Sequence, residues 1–457
     1  MSTSRSERCY FKRLVLSNVR SFGDSQQLEM TNESGGPAQW TLILGENGVG
    51  KTTLLQCLAS MCPVLAAAPD KPPDSTNTAT PTRVEPALLR RADGELVALA
   101  RSGEEIVELA ALLVTGQRFA SNKGRSIEIS LEARVQVKNG ELIDVTQTSV
   151  EMAKPIEPLV IAYSAARHMR YRGSEPFTLH PDTTASLFDP SVELADAKDI
   201  LEQLDYATAK RQPGAKQFLA RIKDALVKLL PDVDSASAIT IYGPATPGTK
   251  GQKSGVRVTT PYGEVPLDAL SLGYQTMTAW AIDLAWRLYQ RYPNAAEPLH
   301  EPAIVLIDEL DLHLHPRWQR ELRESISSTF PQVQFIATAH SPLLAQSYLD
   351  MNIVVVREQD GQAVIESDPS VVRTWRIDEV VTSALYEVDS AFSPDIGREL
   401  QERTRLMQKS HLTPAKRRRL AKLNVLAKSL TPKFELESQR ALDVIQKAAQ
   451  LIEDDEL

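Results

Sequence analysis

Apolar residues recur along this chain at two different periods, and the changes of period divide it. In YFKRLVLSNVRSF (10–22) apolar and polar side chains alternate well enough for a strand. QWTLIL (39–44) is a nearly unbroken apolar run, the pattern of a strand buried on both faces. A helix is predicted from Lys51 to about Met61. Alternation returns in SIEISLEARVQVKNGELIDVTQTSV (126–150), broken by Asn139-Gly140, a pair suited to a tight antiparallel turn. PLVIAYSA (158–165) resumes a buried strand, and residues 186–230 read as mostly helical with a polar break at KRQPGAK. A small hairpin then runs from AITIYGP to VRVTTPYGEVP around a Gly/Lys-rich loop (243–255). An amphipathic helix headed by SLGYQ begins at Ser271. After it come AIVLIDE (303–309), a helix from about Pro316 to Phe330, VQFIATAHS (333–341) and MNIVVVRE (351–358). That succession predicts a parallel sheet covered on both faces.

The expected fold is therefore α/β, with an antiparallel β insertion and a helical C-terminal region. Four segments are expected. Residues 1–61 begin the sheet domain, and 62–157 hold a flexible loop followed by the β insertion. Residues 158–368 complete the sheet domain with a helical lobe, and 369–457 are helical. The loop is placed at 62–86, where Pro, Thr, Ala and Asp leave little to pack.

Composition narrows the classes. At 457 residues the chain can hold two or more structural units, and 42% apolar with 24% charged residues describes a globular protein. No apolar run approaches the ~20 residues of a membrane span. The N-terminus lacks an apolar signal core, so a cytoplasmic location is expected. Cys9, Cys57 and Cys62 are an odd trio, read as buried or free thiols. A net charge of −8 means that any nucleic-acid surface must be local.

GENGVGKT (45–52) matches G-x-x-x-x-G-K-[ST] at every fixed position, after a buried strand and at the head of a helix. In such a P-loop Gly45, Glu46, Asn47, Gly48, Val49 and Gly50 turn their backbone toward a nucleotide's phosphates, and Thr53 follows on the helix. Lys51 supplies a positive charge to the β- and γ-phosphates, and Thr52 a hydroxyl to Mg²⁺. A Gly-rich strand-to-helix turn is the structural alternative, but it leaves Lys51 without a purpose. IVLIDE ends a buried strand on Asp308 and Glu309, where open α/β sheets bind ligands. Asp308 suits a Mg²⁺ contact and Glu309 a general base that polarises water, while an acidic cap for the next helix is the alternative. His340 ends the next strand, either as a γ-phosphate sensor or as a satisfied strand-end histidine. His313 and His315 have metal-like spacing without a further Cys/His partner set, which favours a structural turn over zinc.

Taken together, GENGVGKTTLL, LSLGYQTM, LIDELDLHLHP and FIATAHSP, in that order, resemble the ABC-type ATPase heads of the RecF/SMC/OLD-like group. Within that group the chain looks most like the PtuA-type ATPases of Septu anti-phage systems. The resemblance covers about 10–60 and 158–368. It implies ATP and Mg²⁺ as ligands, and a homodimer in which two heads sandwich two nucleotides. The signature of such heads, commonly L-S-G-G-Q, reads here Leu270-Ser271-Leu272-Gly273-Tyr274-Gln275, so Ser271, Gly273 and Gln275 carry over. By the same resemblance Asp311 holds the D-loop position, His340 is the switch histidine, and Arg20 and Ser21 in NVRSF lie near the nucleotide. The Q-loop's candidate region is YSAARH (163–168).

From Arg403 to Phe434 there are ten Lys/Arg and no Asp or Glu. Lys416, Arg417, Arg418 and Arg419 form a cluster for nucleic-acid phosphates or an acidic partner, or else a solvated helix face. The expected function is an ATP-hydrolysing switch or assembly subunit of a prokaryotic anti-phage system that controls a partner effector such as a nuclease. A RecF-like DNA-binding repair ATPase is the alternative, and an ABC transporter motor domain a more distant one.

Overall fold

The computed structural model describes residues 8–66, 82–116, 119, 126–152, 156–166, 181–243, 253–341, 343–344, 351–367, 393–408 and 413–430. The chain divides into two compact units, residues 1–380 and 381–457.

The first unit opens with β1 (Cys9–Ser17), β2 (Gln26–Glu29) and β3 (Trp40–Gly45), then α1 (Lys51–Ser60). β4 (Pro63–Leu65), β5 (Thr82–Pro86) and α2 (Asp93–Val97) lead to four further strands. These are β6 (Ile106–Thr115), β7 (Ile127–Lys138), β8 (Glu141–Gln147) and β9 (Val150–Met152). After β10 (Val160–Tyr163) come α3 (Ala197–Ala209) and α4 (Ala215–Leu229). β11 (Ile239–Tyr242), β12 (Gly255–Thr260) and β13 (Gly263–Pro266) form a small antiparallel sheet ahead of α5 (Leu272–Arg291). β14 (Ala303–Ile307), α6 (Pro316–Thr329), β15 (Val333–Ala339), β16 (Asn352–Gln359) and β17 (Gln362–Glu366) complete the unit.

The central sheet has the order β10-β14-β15-β3-β16-β17. All its pairings are parallel except β16 with β17. β3, β14 and β15 are buried at every position, as their apolar runs predict. On one face Ile43, Ile304, Leu306, Ile336 and Val354 join the apolar side of α1 and of the long antiparallel strands in a single core. On the other face Trp40 stacks on Phe335 with ring centroids 4.5 Å apart, and its Nε1 donates to Ser327 Oγ of α6 at 2.8 Å. α5 covers the β10 end of that same face, where Trp280 meets Tyr163.

Two expectations change. The antiparallel strands are not set apart from the N-terminal segment: β6 pairs with β1 along its length, giving the five-stranded order β2-β1-β6-β7-β8. β1 alternates because one of its faces lies on the shared core, and its edge then accepts β6. The loop expected across 62–86 contains β4 and β5, which pair with each other and with β9, while 67–81 fall outside the described residues. Asn139 and Gly140, both at positive φ, make the turn between β7 and β8. The three cysteines are buried and free, and burial pushes the Cys9 and Cys57 thiols up to about 12. No helix among the described residues is long and apolar enough to cross a membrane.

In the second unit α7 (Pro394–Met407) and α8 (Pro414–Leu430) pack together, with Leu406 and Leu423 buried. Arg403 Nε donates to Asn424 Oδ1 at 2.7 Å, and Arg419 pairs with Glu399 and Glu402 at 3.2 and 2.7 Å.

Candidate nucleotide-binding site

The sheet order puts β15 between β3 and β14, so the P-loop and the acidic strand end are separated by one strand. At the end of β3 the backbone turns too sharply for side chains. Gly48 and Gly50 have φ of 83° and 102°, the left-handed region that glycine occupies without strain. A Cβ on Gly50 would meet Ser21 Oγ at 2.4 Å, and one on Gly45 would meet the Val356 carbonyl at 2.2 Å. α1 starts directly after this turn with no side-chain cap, leaving its first N–H groups to a ligand. Lys51, only 7% exposed, folds back and donates from Nζ to the carbonyls of Gly45 (2.9 Å) and Glu46 (2.6 Å). Burial pushes its ammonium below the ordinary lysine range, and Asp308, Glu309, Asp311 and Glu46 oppose that shift.

Across β15, the Thr52 hydroxyl donates to Asp308 Oδ2 at 2.8 Å. Asp308 Oδ1 accepts from the Thr338 hydroxyl at 2.6 Å, and the same oxygen of Thr338 accepts the Glu309 N–H at 2.8 Å. Thr338 is fully buried, so this relay is shielded from water. Glu309 has φ 49°, which turns the chain away from β14 immediately after Asp308. The Asp311 carboxylate accepts the His340 N–H at 3.1 and 3.3 Å, tying the end of β15 to the loop after β14. The acidic-cap reading of Asp308 and Glu309 fails: the cap of α6 is His315, whose Nδ1 accepts the Arg317 N–H at 3.2 Å. His313 and His315 stand in this turn, and no cluster of three metal-ligating side chains occurs among the described residues.

Arg20 and Ser21 reach the flank of the P-loop. Arg20 Nη1 donates to Gln56 Oε1 and Thr53 Oγ1 on α1, and Ser21 Oγ donates to the Val49 carbonyl at 3.1 Å. Their observed contacts brace the loop and its helix. The residues at the head of α5 stand elsewhere. Ser271 occupies the cap position, exposed, and makes no capping hydrogen bond. Gly273 lies under the His313 carbonyl, 2.4 Å from where a Cβ would be. Gln275 Nε2 donates to the carbonyls of Asp268 and Leu270, closing the preceding turn. Tyr274 hydrogen-bonds the Pro231 carbonyl and Asp232, and its ring centroid lies 5.2 Å from that of Trp318. The head of α5 is thus built onto the loop after Asp308, the end of α4 and the turn at Asp268–Leu270.

Pattern reading missed Thr338. Its only signal in the sequence is a hydroxyl two residues before the strand-end histidine in FIATAH. It also missed Gln319, which accepts from Ser341 Oγ at 2.5 Å and donates to the Leu314 carbonyl.

The donor set fits a nucleoside triphosphate with a hard divalent cation: a tight glycine turn that admits no Cβ at Gly45 or Gly50, a buried lysine, and a threonine hydroxyl joined to a carboxylate. Fold and site define an α/β domain with a P-loop nucleotide site. A family model described as "AAA domain" matches residues 13–225, and one described as "AAA domain, putative AbiEii toxin, Type IV TA system" matches 166–345. Among curated proteins, the chain is 24% identical to the Septu protein PtuA of Bacillus mycoides over 82% of its own length and 45% of that protein. It is 41% identical over 97 residues to the Retron Vc95 probable ATPase of Vibrio cholerae, covering 21% of this chain and 19% of the relative. The chain therefore spans less than half the length of these relatives. A solved SMC head bound to the C-terminal winged-helix domain of ScpA aligns over 79% of this chain and 97% of that one, at 17% identity and a TM-score of 0.43.

Proposed function

We propose that the chain binds ATP with Mg²⁺ between the P-loop and the β14 edge, hydrolyses it, and works as the ATP-dependent switch of a prokaryotic anti-phage system. The observation that carries this reading is the bridge from Thr52 to Asp308 to Thr338, set beside a buried lysine at the head of α1. Lys51 exchanges its two carbonyl partners for phosphate oxygens, and the free N–H groups of α1 take up the remaining charge. Thr52 and Asp308 would hold Mg²⁺, which would supply neutralising charge to the phosphates. Glu309 accepts the proton of the attacking water, and His340, fixed through its N–H by Asp311, reads the γ-phosphate.

Two heads close over two nucleotides, with Ser271 of one facing the P-loop of the other. The uncommitted Ser271 side chain at an exposed helix head supports that role. The similarity to Septu and retron ATPases supports a place in defence, with a partner effector nuclease controlled by opening and closing. A further contact, with nucleic-acid phosphates, is supported by Lys416, Arg417 and Arg418, which are exposed and have no acidic partner among the described residues. Arg419 leaves that cluster, because Glu399 and Glu402 neutralise it.

The test is Glu309→Gln in the full chain. Mg²⁺-dependent ATP turnover by the wild type is expected, with a fall of roughly 100-fold or more in the variant. The variant should retain ATP and elute as a dimer with ATP and as a monomer without it. A wild type that turns over no ATP overturns the enzymatic reading, and an ATP-loaded variant that stays monomeric overturns the sandwich.

A further inference from the structure

Asp283 lies in the middle of α5 with no exposed surface, and it is ionically paired. Its Oδ2 accepts from Tyr163 Oη at 2.9 Å and from Arg287 Nε at 2.7 Å, and its Oδ1 accepts the Ala195 N–H at 3.2 Å. Tyr163 is 1% exposed and Arg287 9%. Each of the three donors comes from a different part of the head: Tyr163 is the last residue of β10, Ala195 leads into α3 of the helical lobe, and Arg287 is one turn along α5.

A buried ion pair of this kind is a poor device for stability alone. The desolvation of both charges offsets most of their attraction, and apolar replacements of similar volume often serve as well. What the arrangement does supply is direction. Two donors from outside the helix, Tyr163 and Ala195, fix the rotation of α5 about its axis and its height on the sheet, while Arg287, on α5 itself, completes the carboxylate's shell.

The Tyr163 backbone shows what that orientation refers to. β10 pairs in parallel with β14, and the Tyr163 carbonyl accepts the N–H of Asp308 at 2.8 Å. The same residue therefore holds the cation-site aspartate through its main chain and the middle of α5 through its side chain. Nearer the head of the helix, Gly273 is seated under the carbonyl of His313, in the loop that follows Asp308. α5 is thus pinned at two places, to the strand before Asp308 and to the loop after it. Ser271 stands about 18 Å along the helix axis from Asp283 and two residues before Gly273, so the two contacts together set the direction in which it is presented.

From this geometry we infer that the Tyr163–Asp283 hydrogen bond is a positioning contact: it sets the angle of α5 against the Asp308 strand and so aims Ser271 at the nucleotide of the opposing head. The inference rests on the ATP-sandwich reading above. Neither residue touches the reacting atoms. Both act through α5.

Tyr163→Phe is the test, because it keeps the ring against Trp280 and removes only the hydroxyl, leaving Asp283 its other two donors. KM for ATP should stay within about twofold of wild type while kcat falls about 10- to 100-fold, the cost of a small misplacement of a catalytic group. The ATP-dependent dimer should be weakened in parallel. Asp283→Leu, which offers the Tyr163 hydroxyl no acceptor, should also lower kcat, and adding Tyr163→Phe to it should lower kcat no further, since one hydrogen bond has then been removed twice. A merely structural contact predicts a different pattern: a lower melting temperature with kcat per nucleotide-binding site unchanged. That outcome, or additive losses in the double variant, overturns the inference while wild-type turnover and dimerisation keep the functional reading intact. Absence of turnover in the wild type itself overturns the functional reading, and the inference with it.

Discussion

Thr338 shows how much one buried hydroxyl can carry. It donates to the carboxylate that would hold the cation and accepts the N–H of the residue that would activate water. Replacing it by valine keeps the shape of the side chain but removes one donor from the buried Asp308 carboxylate and one acceptor from the Glu309 N–H. A loss of roughly 1–3 kcal/mol in unfolding free energy is expected, the usual cost of taking a hydrogen-bond partner from buried polar groups. Denaturant unfolding measures it. If the relay also aims Asp308, Thr338→Val should raise the Mg²⁺ concentration needed for half-maximal ATP turnover, and an unchanged Mg²⁺ profile would restrict Thr338 to stability. Lys51 illustrates a different residue-scale effect. It is buried and held by two carbonyls, with which phosphate oxygens would compete for its charge.

At the scale of elements, the head of α5 answers why SLGYQ departs from the usual signature. Gly273 is required by its neighbour: the His313 carbonyl occupies the place of a side chain. Tyr274 packs on Trp318 and hydrogen-bonds the end of α4, and Gln275 closes the turn before the helix. Three of the five residues therefore fasten the helix head, and Ser271 and Leu272 remain exposed. Gly273→Ala must push the His313 loop and α5 apart. A cost of about 1–3 kcal/mol is expected, as for other overpacked contacts. Because the same loop carries Asp311, ATP turnover should fall by more than the loss of folded protein explains. Comparing kcat per bound nucleotide with thermal melting separates the two effects, and turnover that merely tracks folding would make Gly273 a packing residue only.

At the scale of the molecule, the C-terminal helical pair carries positive charge of two kinds. Arg419 is committed to Glu399 and Glu402 on α7, whereas Lys416, Arg417 and Arg418 face solvent. If the segment meets nucleic-acid phosphates, Arg417→Ala with Arg418→Ala should weaken duplex binding and flatten its dependence on salt by about two counterions. Arg419→Ala should instead loosen the pairing of α7 with α8, visible as faster amide exchange in both helices. Equal effects of the two changes on salt dependence would contradict this division.

The sequence by itself determined the parts that depend on near neighbours in the chain. The P-loop was legible because its glycines, lysine and threonine occupy fixed positions on one strand-to-helix turn, and backbone sterics allow few alternatives there. Buried parallel strands were legible in AIVLI and QFIATA because both of their faces are covered, which demands unbroken apolar runs. Tertiary structure decided what depends on partners hundreds of residues away. The pairing of β6 with β1 could not be read from alternation, which marks a strand's buried face but not its neighbour at the edge. Thr338 looks like an ordinary strand residue until β15 is laid beside β14, and the bond of Tyr163 to Asp283 is invisible until β10 is placed there too. Asp283 looks like a misplaced charge in an apolar helix until three donors close around it. Local periodicity reports which surfaces must be buried. Which polar groups meet inside is fixed only when the sheet order brings their strands together.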